Sequence, residues 1–233
     1  MDYIVEGIRE AIWLIFSGDT EIFGIIVLSL FVSITATTLA VLIGVPLGFY
    51  TGIKQFPLKK LYGSVLYTAM GIPPVVIGLV VAILLSRRGP LGQYELLFTP
   101  QAMIIAQFCL VLPIVTGILF GTAKDKGREV LELAFTLGAN RHESLKLLIK
   151  ELNAAVLLAI MTAFGRAISE VGAVMLVGGN IRGSTRMMTT YIALNNSMGA
   201  YERSIAMAIV LLLISLIINA ITQHMTGGKA YVD

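Results

Sequence analysis

The stretch FGIIVLSLFVSITATTLAVLIGVPLGFY, from Phe23 to Tyr50, runs without one charged residue. A helix needs about 20 apolar residues to cross the hydrocarbon core of a bilayer, so this segment alone places the chain in a membrane. Four more apolar stretches follow, at Leu61–Leu85, Ala102–Ala123, Asn153–Val177 and Ser204–Thr222. Composition agrees: of 233 residues 57% are hydrophobic and 13% charged, with a mean hydropathy of +0.87. Soluble domains carry roughly 25% charged residues, enough for a polar skin that this chain lacks. The expected fold is an all-α, polytopic membrane helix bundle with about five transmembrane helices.

Charge falls between the spans. The net charge of +3 could suggest nucleic acid, but the Lys and Arg residues flank apolar runs, as juxtamembrane loops require. Lipid is the expected partner and nucleic acid is not. Lys54, Lys59, Lys60, Lys124, Lys126, Arg128, Arg141, Lys146, Lys150 and Lys229 gather on one side. Arg9, Arg87, Arg88, Arg182, Arg186 and Arg203 fall on the other, which favours N-out and C-in. Residues 1–20 read as an N-terminal interfacial helix: Ile4, Val5, Ile8, Ala11, Ile12, Ile15 and Phe16 form one stripe opposite Asp2, Glu6, Arg9 and Glu10. A helix packed on the flank of the bundle fits that pattern equally. Residues 21–224 form the membrane domain and 225–233 a cytoplasmic tail. Acidic residues at the start argue against a cleavable signal peptide. Cys109 is alone, which excludes an intramolecular disulfide.

The loop at 124–152 is longer than two packed helices need. Residues 127–137 read as a short helix with Val130, Leu131, Ala134 and Leu137 on one side. Gly138 sits where a helix terminus favours glycine. Asn140, with Glu143 three residues on, reads as a capping box for a second helix. Such a helix–turn–helix with apolar residues still exposed fits either a partner's groove or a bridge packed on its own chain.

Within the spans, Arg166 and Glu170 would each oppose insertion by roughly 2.5–3.5 kcal/mol, so they face the bundle interior or water. Their spacing puts them within pairing reach on one helical face. They read as a gate or pathway pair beside Ser169, or as an internal ion pair fixing helix packing. Pro73 and Pro74 interrupt the second span and suggest a hinged, pathway-lining helix; Pro46 and Pro113 suggest kinks. Gly71, Gly78, Gly165 and Gly172 would permit close helix approach. The outer segment Gly178–Arg203, with Asn180, Arg182, Ser184, Thr185 and Arg186, reads as a solvated loop or as a surface for an anion or a docking protein.

Glu132-Leu133-Ala134, three residues and then Gly138 resemble the EAA loop of permease subunits in binding-protein-dependent ABC importers. Leu133 replaces the first alanine of that pattern, and the proline expected after Leu148-Ile149-Lys150 is absent, so the second helix of the loop is expected to run unbroken into the fourth span. Gly71-Ile72-Pro73-Pro74, Ser86-Arg87-Arg88-Gly89-Pro90-Leu91-Gly92, Gly165-Arg166-Ala167-Ile168-Ser169-Glu170-Val171-Gly172-Ala173 and Gly179-Asn180-Ile181-Arg182-Gly183 are similar to molybdate and sulfate permeases. The tungstate branch is the nearest in pattern. The resemblance implies a type I importer permease in the cell (inner) membrane that moves a tetrahedral oxyanion, tungstate before molybdate or sulfate. It implies ATPase coupling through Glu132, Ala134 and Gly138, with hydrolysis in a separate ATP-binding subunit, and an extracytoplasmic binding protein. Pathway or gate residues would be Pro73, Pro74, Arg166, Ser169 and Glu170. Five spans enclose little of a pathway, so a homodimer is expected; no cofactor or metal site is. A membrane enzyme would need convergent bases or ligands, but the two histidines, His142 and His224, lie in cytoplasmic segments and no phosphate-binding glycine loop is present. An assembly factor would explain the exposed loop but not the charges and prolines within the spans.

Overall fold

The structure, a computed structural model, describes residues 6–7, 9–11 and 19–225, and its regular elements are all helices. The interfacial helix expected over residues 1–20 and the tail from 225 lie largely outside the described residues. The short helical turn that is described packs on the bundle: Ala11 is buried, and a Cβ on Gly7 would meet Ile205 Cγ2 at 2.5 Å.

Asp19 caps the first long helix, α1 (Thr20–Ile53), by accepting the Glu21 N–H at 2.8 Å. Helices α2 (Lys59–Met70) and α3 (Pro74–Leu85) follow, then α4 (Pro100–Thr122), capped by Thr99. A π turn at Ala123–Gly127 joins α4 to α5 (Arg128–Thr136). The rest are α6 (Arg141–Glu151), α7 (Asn153–Ile168), α8 (Gly172–Gly178), α9 (Met188–Ser197) and α10 (Tyr201–Met225).

Among the described residues three helices are long and apolar enough to cross a membrane: Thr20–Ile53, Pro100–Thr136 and Tyr201–Thr222. Two bent pairs bring the number to five when each is one span, α2 with α3 at 94° and α6 with α7 at 61°. The sequence reading of five spans therefore stands, with two corrections. The fourth stretch is not one helix to Val177, because α7 ends at Ile168 and α8 starts afresh at Gly172. Nor does α6 run unbroken into it: the chain turns at Leu152 despite the missing proline. Leu148 and Leu152 are both buried there, so burial of these side chains holds a corner that no helix breaker dictates.

Helices α1 and α4 form the spine. A Cβ on Gly44 would meet Val115, one on Gly48 Leu119, and one on Gly52 Ala123, all within 3 Å. The constant offset shows that the two helices run parallel, with glycine every fourth residue letting their backbones approach. Both continue through their prolines, Pro46 and Pro113, without a break. Pro73–Pro74 behaves differently. Helix α2 stops at Gly71, and Pro74 takes the first position of α3, where its missing N–H costs nothing.

The segment Pro100–Thr136 is one 37-residue helix. At 1.5 Å per residue it spans about 55 Å, well beyond a hydrocarbon core of about 30 Å, so α5 is carried out of the membrane on the end of α4.

Candidate functional site

Two regions gather the residues singled out from the sequence. The first is the loop at the end of the α4–α5 rod. Helix α5 closes in a Schellman motif: Ala139 N–H donates to Ala134 O and Gly138 N–H to Phe135 O, both at 3.0 Å. Gly138 supplies the left-handed turn with φ of +83°. Asn140 then starts α6 with a complete capping box, its Oδ1 accepting Glu143 N–H at 3.0 Å and its own N–H reaching Glu143 Oε2 at 2.7 Å. Both turn elements lie where local sequence chemistry put them. Ala134 is buried and Val130 and Leu131 pack on the core, while Leu133, Phe135 and Leu137 are 59%, 54% and 76% exposed. Leu137, read from spacing on one side with Val130, Leu131 and Ala134, parts from them: as the cap residue it has left the helical register and is exposed. Glu132 stands in solvent, held by Arg128 Nε at 2.7 Å.

The second region is where the helix breaks at Pro73–Pro74 and Ser169–Glu170 come together. Helix α3 begins at Pro74, α8 begins at Gly172, and the two lie against each other. A Cβ on Gly78 would stand 2.6 Å from Ala173 Cα, and one on Gly172 would stand 2.7 Å from Val75 Cγ2. Gly71 and Gly165, expected to serve close approach as well, do not: a Cβ on Gly165 meets open space, and one on Gly71 only the Thr68 carbonyl at 3.6 Å.

Arg166 and Glu170 do not pair, which corrects the reading from their spacing. Helix α7 ends before Glu170, and the two side chains part. Glu170 is buried, and its Oε1 accepts the Ala173 N–H at 2.9 Å, capping α8, while its carbonyl accepts from Thr189 Oγ1 at 2.7 Å. Arg166 remains on the exposed face of α7, with no ion-pair partner among the described residues. Thr162 and Ser169 share that face at helical spacing. Ser169 caps α7, its Oγ donating to Gly165 O at 2.8 Å.

Gln107 is a further residue at this junction, and the sequence signal for it was a lone amide in an apolar run. It is fully buried, and its Nε2 donates to Ala167 O at 2.9 Å, at the end of α7. Continuing the α1–α4 register puts Gln107 opposite Ala36, halfway along α1, so the broken junction lies at mid-height of the bundle.

Glu170 gives a graded test. Glu170→Gln keeps an acceptor for the Ala173 N–H and should change the thermal midpoint little. Glu170→Ala leaves a buried donor unpaired and should cost about 1–3 kcal/mol in unfolding. Equal melting of the two variants would show that the cap does not hold α8.

Residues 44–227 match the family of binding-protein-dependent transport system inner membrane components. The chain belongs to this family. It is 52% identical to the tungstate uptake system permease protein TupB of Peptoclostridium acidaminophilum, over 95% of this chain and 97% of that protein. It is 39% identical to a probable anion ABC transporter permease protein of Haloferax volcanii, over 87% and 89%. With TupB of Campylobacter jejuni the identity is 37%, over 97% and 94%. Membership makes the chain the membrane-embedded permease component of a transport system that depends on a binding protein. The bundle of apolar helices, with breaks at Pro73–Pro74 and Ser169–Glu170, suits that role.

Proposed function

We propose that this permease carries tungstate, a tetrahedral dianion, into the cytoplasm, driven by ATP hydrolysis in a separate subunit. Similarity to two tungstate uptake permeases along nearly the whole chain supports the substrate. The observation that carries the energetic coupling is the loop Glu132–Gly138. Two large apolar side chains, Leu133 and Phe135, stand in solvent on a helix continuous with a membrane span, and Leu137 stands beside them at its cap. A groove on an ATPase subunit would bury them, and movement of that subunit would pass to α4 across the short π turn at Ala123–Gly127. Molybdate and sulfate are the alternative cargoes, having the same shape and charge.

The exposed face of α7 supports a homodimer. An arginine facing lipid at this depth costs roughly 2.5–3.5 kcal/mol, so Thr162, Arg166 and Ser169 face water or a second copy. In the dimer the pathway follows this face, bounded by the breaks at Pro73–Pro74 and Ser169–Glu170. The coupling loop is cytoplasmic and the turn at 181–187 lies outside, where a binding protein delivers the anion. Nucleotide shifts the bundle between inward- and outward-open only by its differential affinity for the two states.

Reconstitution tests the reading. The permease with its ATPase and binding protein in proteoliposomes should accumulate tungstate only with ATP, and molybdate and sulfate should compete in proportion to their affinity for the binding protein. Accumulation without the ATPase, or none of any tetrahedral dianion, would overturn it.

A further inference from the structure

At the end of the bundle opposite the coupling loop, the first turns of α1 face the turn at 181–187 across a cavity of about 550 Å3. Glu21, Arg182, Ser184 and Arg186 line it. Arg182 donates two hydrogen bonds to the Glu21 carboxylate, from Nε at 2.8 Å and from Nη2. Arg186 Nη1 stands 3.7 Å from Glu21 Oε1, and its Nε donates to Asn180 Oδ1 at 3.3 Å.

The turn that presents these arginines is built to be rigid. Buried Thr185 accepts the Ile181 N–H at 3.0 Å and donates to Gly178 O. Ile181 O in turn accepts from the N–H groups of Ser184, Thr185 and Arg186 at 3.2, 3.0 and 3.1 Å. The Arg186 side chain is only 16% exposed and Glu21 29%, so this inner contact is sheltered, while Arg182, 74% exposed, closes the site from the solvent side. Here two guanidinium groups converge on one carboxylate, the donor geometry that recognises oxyanions, beside space that readily admits a tetrahedral dianion.

We propose that this cavity is an oxyanion entry site at the outer mouth, and that Glu21 occupies it as a stand-in for the arriving dianion. The inference rests on the oxyanion-importer reading. A dianion with four acceptor oxygens can take the donors of Arg182 and Arg186 together with the Ser184 hydroxyl, and Glu21 is displaced. Free arginines would hold the anion tightly between cycles. A competing carboxylate of this chain makes the occupancy exchangeable.

The experiment is calorimetric titration of the purified permease with tungstate, beside ATP-driven uptake by the whole importer. Wild type should bind weakly, Glu21→Gln at least tenfold more tightly, and Glu21→Gln with Arg186→Gln should lose the gain. Arg186→Gln alone should lower uptake at limiting tungstate and leave it near wild type at saturation, which keeps the test open if Glu21→Gln fails to fold. No gain from Glu21→Gln, a gain that survives loss of Arg186, or an equal loss at limiting and saturating tungstate overturns the entry site. Those results with uptake otherwise intact leave the importer reading standing. Failure of every variant and wild type to take up any tetrahedral dianion sinks that reading itself.

Discussion

Gly138→Val lowers ATP-driven uptake by about tenfold or more while the chain still inserts and folds, because a left-handed residue at this turn costs a non-glycine about 1–2 kcal/mol. Gly138 has φ of +83°, and a Cβ there would touch nothing within 4 Å. The penalty is therefore in the backbone, and valine, branched at Cβ, meets it most severely. The turn carries two hydrogen bonds of the Schellman motif and sets the angle between α5 and α6. When it opens, Leu133, Phe135 and Leu137 no longer present one surface. The apparent affinity for the ATPase falls with the fraction of loops still competent to dock. Uptake into right-side-out proteoliposomes loaded with ATP, beside co-purification of the ATPase, measures this. Gly138→Ala should fall between the two, and wild-type uptake by Gly138→Val would refute the coupling role.

Gly78→Val should abolish uptake by a different route and also lower the unfolding temperature. A Cβ at this position would lie 2.6 Å from Ala173 Cα and 3.0 Å from Ala173 O, and neither backbone atom can swing aside. Overpacking of this kind costs about 1–3 kcal/mol, and here it would part α3 from α8, the two helices that start at the junction. Gly165→Ala is the matching control. A Cβ there meets open space, and alanine gains up to about 1 kcal/mol in helix propensity, so its unfolding should be unchanged or slightly later. If Gly78→Val unfolds and transports like wild type, the contact between α3 and α8 does not organise the pathway.

Much of this protein is legible before any coordinate. The apolar runs give the class because no other solvent satisfies them. The break at Pro73–Pro74 and the continuity of α1 through Pro46 show the limit of that reading. Each proline removes one donor, but only at Pro73–Pro74 does the helix end, with a 94° bend. Gly44, Gly48 and Gly52 against α4 explain why α1 stays continuous, since close packing along its C-terminal half holds the backbone in line.

The chain by itself determined the membrane class, the Gly138 turn and the Asn140 capping box, because each depends on groups within a few residues of one another. Tertiary structure alone decided where the charges went. Glu170 left Arg166 because α7 stops short of it and because Thr189, from the other side of α8, takes its carbonyl. Arg182 and Arg186 found Glu21, 161 positions from Arg182. Helical spacing assumes that a helix continues, and a carboxylate in a bundle pairs with whichever donor packing brings within reach, however distant in the chain.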